Sequence, residues 1–333
     1  MNMETIAYSR GKAISFLFAA AIAFCATATA RADEVVDLKG ETLSMNAAGF
    51  GDYKDKIIEN GTVTITESLG KATPGRYTIG SGAVVEYGAN ADFSGDWDLN
   101  IVNGGTLHQT ATTGRLLMPN LYGDCRLTLD KGTFVTDDNG GTSGSSGAQA
   151  INFGMAWLKN SGVSGKDLSA KVVLKNDSTL SLPSGKLQIG GVRNANGNNY
   201  KANSLKVDFV VTNSTVSSPN KEIALGVVSN NYTKDRLTDA SSSYTKAVFG
   251  PGSDITCQQI FARPIPSPSA VFDGATIHWA GTGKSFIGQD SNVSGDIYEI
   301  QANGLTVDIP DGKSLTTDAN SSALKGAGGI TKI

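Results

Sequence analysis

Two aspartates lie close enough in this sequence to suggest acid–base chemistry. Asp96 and Asp98 flank Trp97 in the segment GDWDLN. Uronate lyases and glycosidases work with carboxylates on neighbouring chain segments, together with a basic residue. The alternation of this segment turns Trp97 inward, so we interpret both carboxylates as solvated and expect no catalytic role for them.

A histidine and a tryptophan form the second candidate group. The segment IHWAG joins His278 to Trp279. An exposed tryptophan could stack on a sugar, but Ile277 and Trp279 alternate as core residues do, which leaves His278 facing water. We therefore retain four weak candidates for carbohydrate contacts: Asp96, Asp98, His278 and Trp279.

This chain has few residues that could bind a metal or a cofactor. It contains two histidines, His108 and His278, which is too few for a histidine metal site and leaves little for a Ser-His-Asp triad. We expect no catalytic residue, no cofactor and no metal. Net charge is −3 and lysine and arginine form no cluster, so a nucleic acid or an anionic membrane is not the expected partner.

The first 32 residues have the pattern of a secretory signal peptide. Arg10 and Lys12 precede an apolar run over residues 13–28, and Ala30-Arg31-Ala32 fits a cleavage site, with Ala28-Thr29-Ala30 as an alternative. We predict an exported protein whose mature chain is 33–333, placed at the cell surface, at the outer membrane or outside the cell. No later stretch is long enough to cross a bilayer as a helix.

The mature chain repeats one pattern, a short alternating strand followed by a tight polar turn and another short strand. The turns read ENGTVTI at 59, VNGGTLH at 102, DKGTFV at 130, KNDSTLSL at 175, TNSTVS at 212, GPGSDIT at 250, FDGATIHW at 272 and ANGLTVDI at 302. Asn-Gly and Asp-Gly supply the positive φ that sharp corners need. The pattern predicts an all-β fold.

Two all-β architectures fit this pattern, a right-handed parallel β-helix and a β-sandwich. The repeated corner chemistry, the short strands and the polar insertions favour the β-helix, because hairpins would give shorter and more regular connections. At about 25 residues per coil we expect about a dozen irregular coils. Cys125 and Cys257 would then lie about five coils apart, too far for a disulfide, so we predict free thiols.

The segment LKGAGGITKI, residues 324–333, resembles the opening of the autotransporter-associated β-strand repeat. Gly328, Gly329, Ile330, Thr331 and Lys332 match that opening. The resemblance implies a β-helical passenger region of a Gram-negative-type bacterium, displayed or secreted, and a chain that is either the N-terminal portion of a longer repeat protein or a truncated product. A full autotransporter has a C-terminal membrane barrel with an aromatic last residue, and the run to Ile333 matches neither feature.

These patterns predict an exported, non-catalytic solenoid with a structural or adhesive role. Surface glycans or proteins are the expected partners, through the loops at 137–149, 193–204 and 231–246. The edge of the coil at 324–333 could also pair end to end with a second copy. The alternative is a secreted polysaccharide lyase or glycoside hydrolase built on a β-helix.

Overall fold

The computed structural model of the chain describes residues 33–88, 91–110, 116–118, 123–137, 150–158, 164–194, 200–226, 237–264, 267–282, 285–291, 293, 295, 297–314 and 324–333. The predicted signal peptide, 1–32, lies outside the described residues. The chain divides into the units 1–34 and 35–333, and the β-structure, apart from the first residue of its first strand, belongs to the second unit.

In the described residues, twenty-nine strands form three sheets. Sheet A has eleven strands, which are, in spatial order, β1 (Glu34–Asp37), β3 (Lys56–Glu59), β5 (Arg76–Ile79), β8 (Trp97–Val102), β11 (Gly123–Asp130), β14 (Asp167–Lys175), β17 (Ser204–Val211), β20 (Tyr244–Phe249), β23 (Ser267–Phe272), β26 (Tyr298–Ile300) and β28 (Leu324–Gly326). Sheet B also has eleven strands, which are β2 (Thr42–Met45), β4 (Gly61–Ile65), β6 (Ala83–Tyr87), β9 (Thr106–Gln109), β12 (Thr133–Thr136), β15 (Ser178–Ser181), β18 (Ser214–Ser218), β21 (Ser253–Cys257), β24 (Ala275–Trp279), β27 (Leu305–Asp308) and β29 (Ile330–Lys332). Sheet C has seven strands, which are β7 (Ala91–Asp92), β10 (Leu116–Met118), β13 (Ala150–Leu158), β16 (Lys186–Asn194), β19 (Ile223–Leu225), β22 (Ile260–Ala262) and β25 (Ile287–Gln289).

Each coil contributes one strand to sheet A and the next strand to sheet B, so the chain makes eleven coils. Neighbouring strands run parallel in all three sheets, as between β11 and β14, β21 and β24, and β13 and β16. The prediction of a parallel β-helix is confirmed. The β-sandwich alternative is wrong, because a sandwich built from hairpins requires antiparallel neighbours.

Among the described residues, the helical segments are short turns near the first coils. Helix α1 (Ala47–Phe50) follows β2, and its first turn is capped by Asn46, whose Oδ1 accepts a hydrogen bond from the backbone N–H of Gly49. Two 3₁₀ turns follow, Gly51–Tyr53 and Leu69–Lys71. In the described ranges no helix has the length and apolar character to cross a membrane.

The interior is a stack of aliphatic and aromatic side chains. Alternation along each strand places every second residue inside, so that Trp97, Leu99 and Ile101 of β8 are all buried. Aromatic rings continue from coil to coil in two series. The first joins Phe50, Tyr77, Trp97 and Phe93, and the second joins Phe153, Phe209, Phe249, Phe272 and Tyr298.

The corner between sheets A and B repeats from coil to coil. Residues in the left-handed conformation, with φ between 44° and 57°, are Lys39, Asn60, Asn103, Lys131, Asn176 and Asn213. Asparagine tolerates this conformation better than most residues because its side chain can hydrogen-bond locally. Here the amides also bridge coils, since Asn176 Nδ2 donates to Asp130 Oδ1 at 2.7 Å and Asn213 Nδ2 donates to Asp177 Oδ1 at 3.1 Å.

Cys125 and Cys257 are buried free thiols, as predicted. Cys125 belongs to β11 in the fifth coil and Cys257 to β21 in the eighth coil, so they are three coils apart rather than five. The expected separation was too large because the fifth to seventh coils are longer than 25 residues. Burial raises the pKa of each thiol to about 12, so neither is a reactive thiolate.

Candidate functional site

A column of threonines runs along the outer face of sheet B. In register from the first coil to the last, its eleven positions are Thr42, Thr62, Val84, Thr106, Thr133, Thr179, Thr215, Asp254, Thr276, Thr306 and Thr331. Nine of the eleven are threonine, and neighbouring positions are about 4.8 Å apart, the spacing of paired strands. Hydroxyl groups therefore recur regularly along the whole sheet.

The local sequence explains why threonine falls at this position. In eight of the eleven coils the residue before this column is a small Gly, Ala or Ser, such as Gly105 or Gly132, and the next residue faces outward. Threonine is β-branched and suits an outward position on a strand. The quoted turn motifs already contain these threonines, but the sequence did not show that they line up.

A second outward column lies two residues further along each strand. From β2 to β27 it contains Ser44, Thr64, Glu86, His108, Val135, Ser181, Ser217, Thr256, His278 and Asp308. All but one of these residues are polar, and both histidines of the chain are among them. We call the two columns together the hydroxyl face.

Each histidine of the hydroxyl face lies between carboxylates from neighbouring coils. His278 on β24 has its Nε2 2.5 Å from Asp254 Oδ1 of β21 and its Nδ1 2.8 Å from Asp308 Oδ2 of β27. His108 on β9 has its Nε2 2.7 Å from Asp137 Oδ1 and its Nδ1 3.4 Å from Glu86 Oε1. The same arrangement thus occurs twice on one sheet.

The surroundings of His278 favour its charged form. Burial of the ring, the largest single influence, lowers the pKa of His278, but the hydrogen bond to Asp308 and the charge of Asp254 together raise it above its ordinary value of 6.5. Both ring nitrogens are occupied by carboxylates. A histidine held in this way balances charge across three coils and has no free nitrogen with which to take a proton from a substrate.

The structure does not bring the predicted carbohydrate candidates together. Asp96 and Asp98 lie at β8 on sheet A, whereas His278 is on sheet B. Asp96 Oδ1 accepts a hydrogen bond from the backbone N–H of Asp124 at 3.0 Å. Asp98 is partly exposed and in register with the cations Arg76 and Arg126 on the neighbouring strands. These contacts are those of solvated surface carboxylates.

Trp279 does not offer a surface for a sugar. Its side chain is only 2% exposed, and its Nε1–H donates a hydrogen bond to the backbone carbonyl of Gln258 at 2.9 Å. It faces inward in the same column as Cys257 of the preceding coil. As a candidate for carbohydrate contact Trp279 is therefore wrong, and the reason is that His278, not Trp279, has the outward place on β24.

A half-buried ion network that the sequence did not indicate joins three coils beside sheet C. The Glu222 carboxylate pairs with Lys186 Nζ and with Arg263 Nη2, and the guanidinium of Arg263 lies 4.8 Å from the ring centre of Phe261. Burial, the largest influence, raises the pKa of Glu222, but the charges of and hydrogen bonds from Lys186 and Arg263 outweigh it and lower the pKa.

Glu222→Gln should reduce the free energy of unfolding by about 1–3 kcal/mol at pH 7, because it leaves two half-buried cations without an anion. Because the pKa of Glu222 is lowered in the folded state, its ion pairs stabilise the protein fully at pH values above the ordinary pKa of about 4.5. This stabilisation is lost as pH falls through the lowered pKa. Urea unfolding at pH 7 and pH 3 measures this, and the difference should shrink at pH 3. Glu299→Gln on β26 is the control; equal losses in both variants would contradict the prediction.

Other expected binding regions fall largely outside the described residues. Of the predicted loops, 138–149, 195–199 and 231–236 are not described. Within the described part of the chain, no group of three or more His, Cys, Asp or Glu side chains is arranged to hold a metal ion. The first column of the hydroxyl face extends over all eleven strands of sheet B.

Comparison of the chain with protein-family models, with curated proteins and with solved structures finds no match. The resemblance of residues 324–333 to the autotransporter-associated β-strand repeat stays a prediction.

Proposed function

We propose that this protein is an exported, non-catalytic β-helix with a structural and adhesive role, and that it binds an extended glycan along the hydroxyl face. The observation that carries the proposal is the in-register threonine column, which spans all eleven coils of sheet B. Export by the predicted signal peptide and display at the cell surface are parts of the same proposal.

The chemistry of the hydroxyl face suits a polymer of hydroxyl-bearing units. A threonine or serine hydroxyl both donates and accepts hydrogen bonds, as a sugar hydroxyl does. The carboxylates of Glu86, Asp254 and Asp308 add acceptors within the same columns. Each contact alone is weak, but a polymer that meets the same group on successive coils gains affinity from many contacts at once.

A polysaccharide lyase or glycoside hydrolase is the second candidate function. The observation in its favour is that His278 converges with Asp254 and Asp308 on three neighbouring coils. Against it, both nitrogens of His278 already face carboxylates, and Trp279 is buried beneath the sheet. Asp96 and Asp98, the other candidate acids, belong to a different sheet. We therefore favour binding without turnover.

The triple variant Thr133→Val, Thr179→Val and Thr215→Val should weaken glycan binding by about 10- to 100-fold. Valine keeps the shape and strand preference of threonine and removes only the hydroxyl, and each lost hydrogen bond is worth about 1 kcal/mol. A glycan array probed with the mature chain, 33–333, identifies a ligand, and titration calorimetry then compares the affinities of the two proteins.

Thr128→Val, on the outer face of sheet A in the same coil as Thr133, is the matched control and should bind as the unaltered protein does. Release of sugar products from a polysaccharide panel would support the enzyme alternative instead. Equal binding by the triple variant and the control would show that the hydroxyl face is not the binding surface.

End-to-end association through the last coil also stays a prediction. Ile330 and Ile333 are 47% and 61% exposed there, as expected of an uncovered edge. Lys332, however, is in register with the buried Val307, and a lysine in a core column blunts a sheet edge against pairing. The exposed isoleucines favour end-to-end pairing, whereas the lysine opposes it.

A further inference from the structure

The contacts of His278 can be satisfied in only one protonation state. A carboxylate only accepts hydrogen bonds, and neutral imidazole has one N–H donor and one bare nitrogen. With Asp254 2.5 Å from one ring nitrogen and Asp308 2.8 Å from the other, neutral His278 would direct a lone pair at an anion. Only the imidazolium form suits both contacts, since it donates a hydrogen bond to Asp308 and brings a positive charge into ion-pair contact with Asp254.

We propose that His278 is a pH-dependent clasp that holds the eighth, ninth and tenth coils together across sheet B. In its charged form the ring links β21, β24 and β27 through Asp254 and Asp308. When the ring loses its proton, one of the two links opens, and the carboxylates of Asp254 on the eighth coil and Asp308 on the tenth coil lose the positive charge between them. The clasp thus closes in acid and opens in base.

The charged groups around the clasp are few. On β21 and β27 they are Asp254 and Asp308, and the remaining outward neighbours, Thr256, Thr276 and Thr306, are uncharged. Asp308 also lines an open groove with three further charged residues at this end of the sheet. They are Asp311, Lys313 and Lys332. The anions that contact the ring therefore dominate its environment.

The sign of the pH effect follows from the pKa of His278, which is raised above 6.5. A raised pKa contributes stability that is fully present below the ordinary pKa and is lost as pH rises through the folded-state value. The His278 side chain is 37% exposed, so solvent screens the ion pairs and the stabilisation is small.

The clasp also regulates the hydroxyl face, because His278 and Asp308 belong to its second column and Asp254 to its first. This step rests on the proposed function. Opening of the clasp leaves the Asp254 and Asp308 side chains free to move within the hydroxyl face, so glycan binding should be several-fold tighter at pH 5.5 than at pH 9.

Histidine NMR titration of the mature chain tests the clasp directly. We expect a titration midpoint for His278 above that of free histidine, with both ring nitrogens protonated at pH 6. Asp308→Asn should lower this midpoint, whereas Glu299→Gln on β26 should leave it unchanged. A midpoint at or below that of free histidine, or one insensitive to Asp308→Asn, would overturn the proposal.

Thermal unfolding provides the second readout. The melting temperature of the unaltered protein should exceed that of His278→Gln by about 2 °C at pH 5.5, and this difference should disappear at pH 9. A difference in melting temperature between the two proteins that is the same at every pH would overturn the clasp. If His278 titrates as expected but glycan binding is equal at both pH values, the regulatory role of the clasp is wrong. If His278 titrates as expected but no glycan binds at any pH, only the proposed function is wrong.

Discussion

Phe209→Ala should lower the free energy of unfolding by about 3–5 kcal/mol, the largest effect we expect from a single substitution in this protein. Phe209 on β17 is fully buried, and its ring centre lies 6.2 Å from that of Phe153 and 6.3 Å from that of Phe249. Alanine leaves a cavity in the middle of the aromatic series. Parallel coils cannot close it without breaking the hydrogen bonds between strands.

Val210→Ala is the matched control, because Val210 follows Phe209 on the same strand and faces outward, where it is only partly buried. Val210→Ala should lower the free energy of unfolding by about 1 kcal/mol or less. Urea unfolding followed by tryptophan fluorescence and circular dichroism measures both variants. Similar losses for the two would mean that the interior of this coil is not packed as described.

Gly132→Ala should cost about 3 kcal/mol, at the upper end of penalties for overpacking. Gly132 opens the strand after the corner of the fifth coil, directly above the preceding coil. A Cβ atom there would lie 2.2 Å from the carbonyl oxygen of Ile101, which belongs to the backbone of the neighbouring strand and cannot rotate away. The coils would have to separate locally to admit a methyl group.

Gly329→Ala provides the control, since a Cβ atom at Gly329 would meet no atom within 4 Å. It should change the free energy of unfolding by less than about 0.5 kcal/mol. Chemical denaturation at pH 7 compares the two variants. If Gly132→Ala were as stable as Gly329→Ala, the close approach of neighbouring coils at this corner would be wrong.

Local patterns in the sequence were sufficient for the class of fold and for much of the interior. The alternation of Trp97, Leu99 and Ile101 predicted their burial, because side chains on a strand point alternately to opposite faces. Turn residues such as Asn60 and Asn103 indicated sharp corners, since they tolerate positive φ. These features depend only on residues that are neighbours in the sequence, so the sequence alone predicts them.

The lengths of the loops set how many coils separate two residues, and the spacing of those residues in the sequence did not reveal this number. The fifth to seventh coils carry long insertions, so Cys125 and Cys257 are three coils apart instead of five. Trp279 shows the same limit, because alternation allowed it to face either way until its place over Cys257 in the core was known.

By itself, the sequence determined an all-β chain of short strands with polar corners, and it favoured a parallel stack over a sandwich. The tertiary structure alone decided which outward residues meet, and so it brought Asp254, His278 and Asp308 together from positions 24 and 30 residues apart. The physical reason is that register between coils is a long-range property. It is fixed by the packing of the whole interior and by the hydrogen bonds between strands, and no local pattern encodes it.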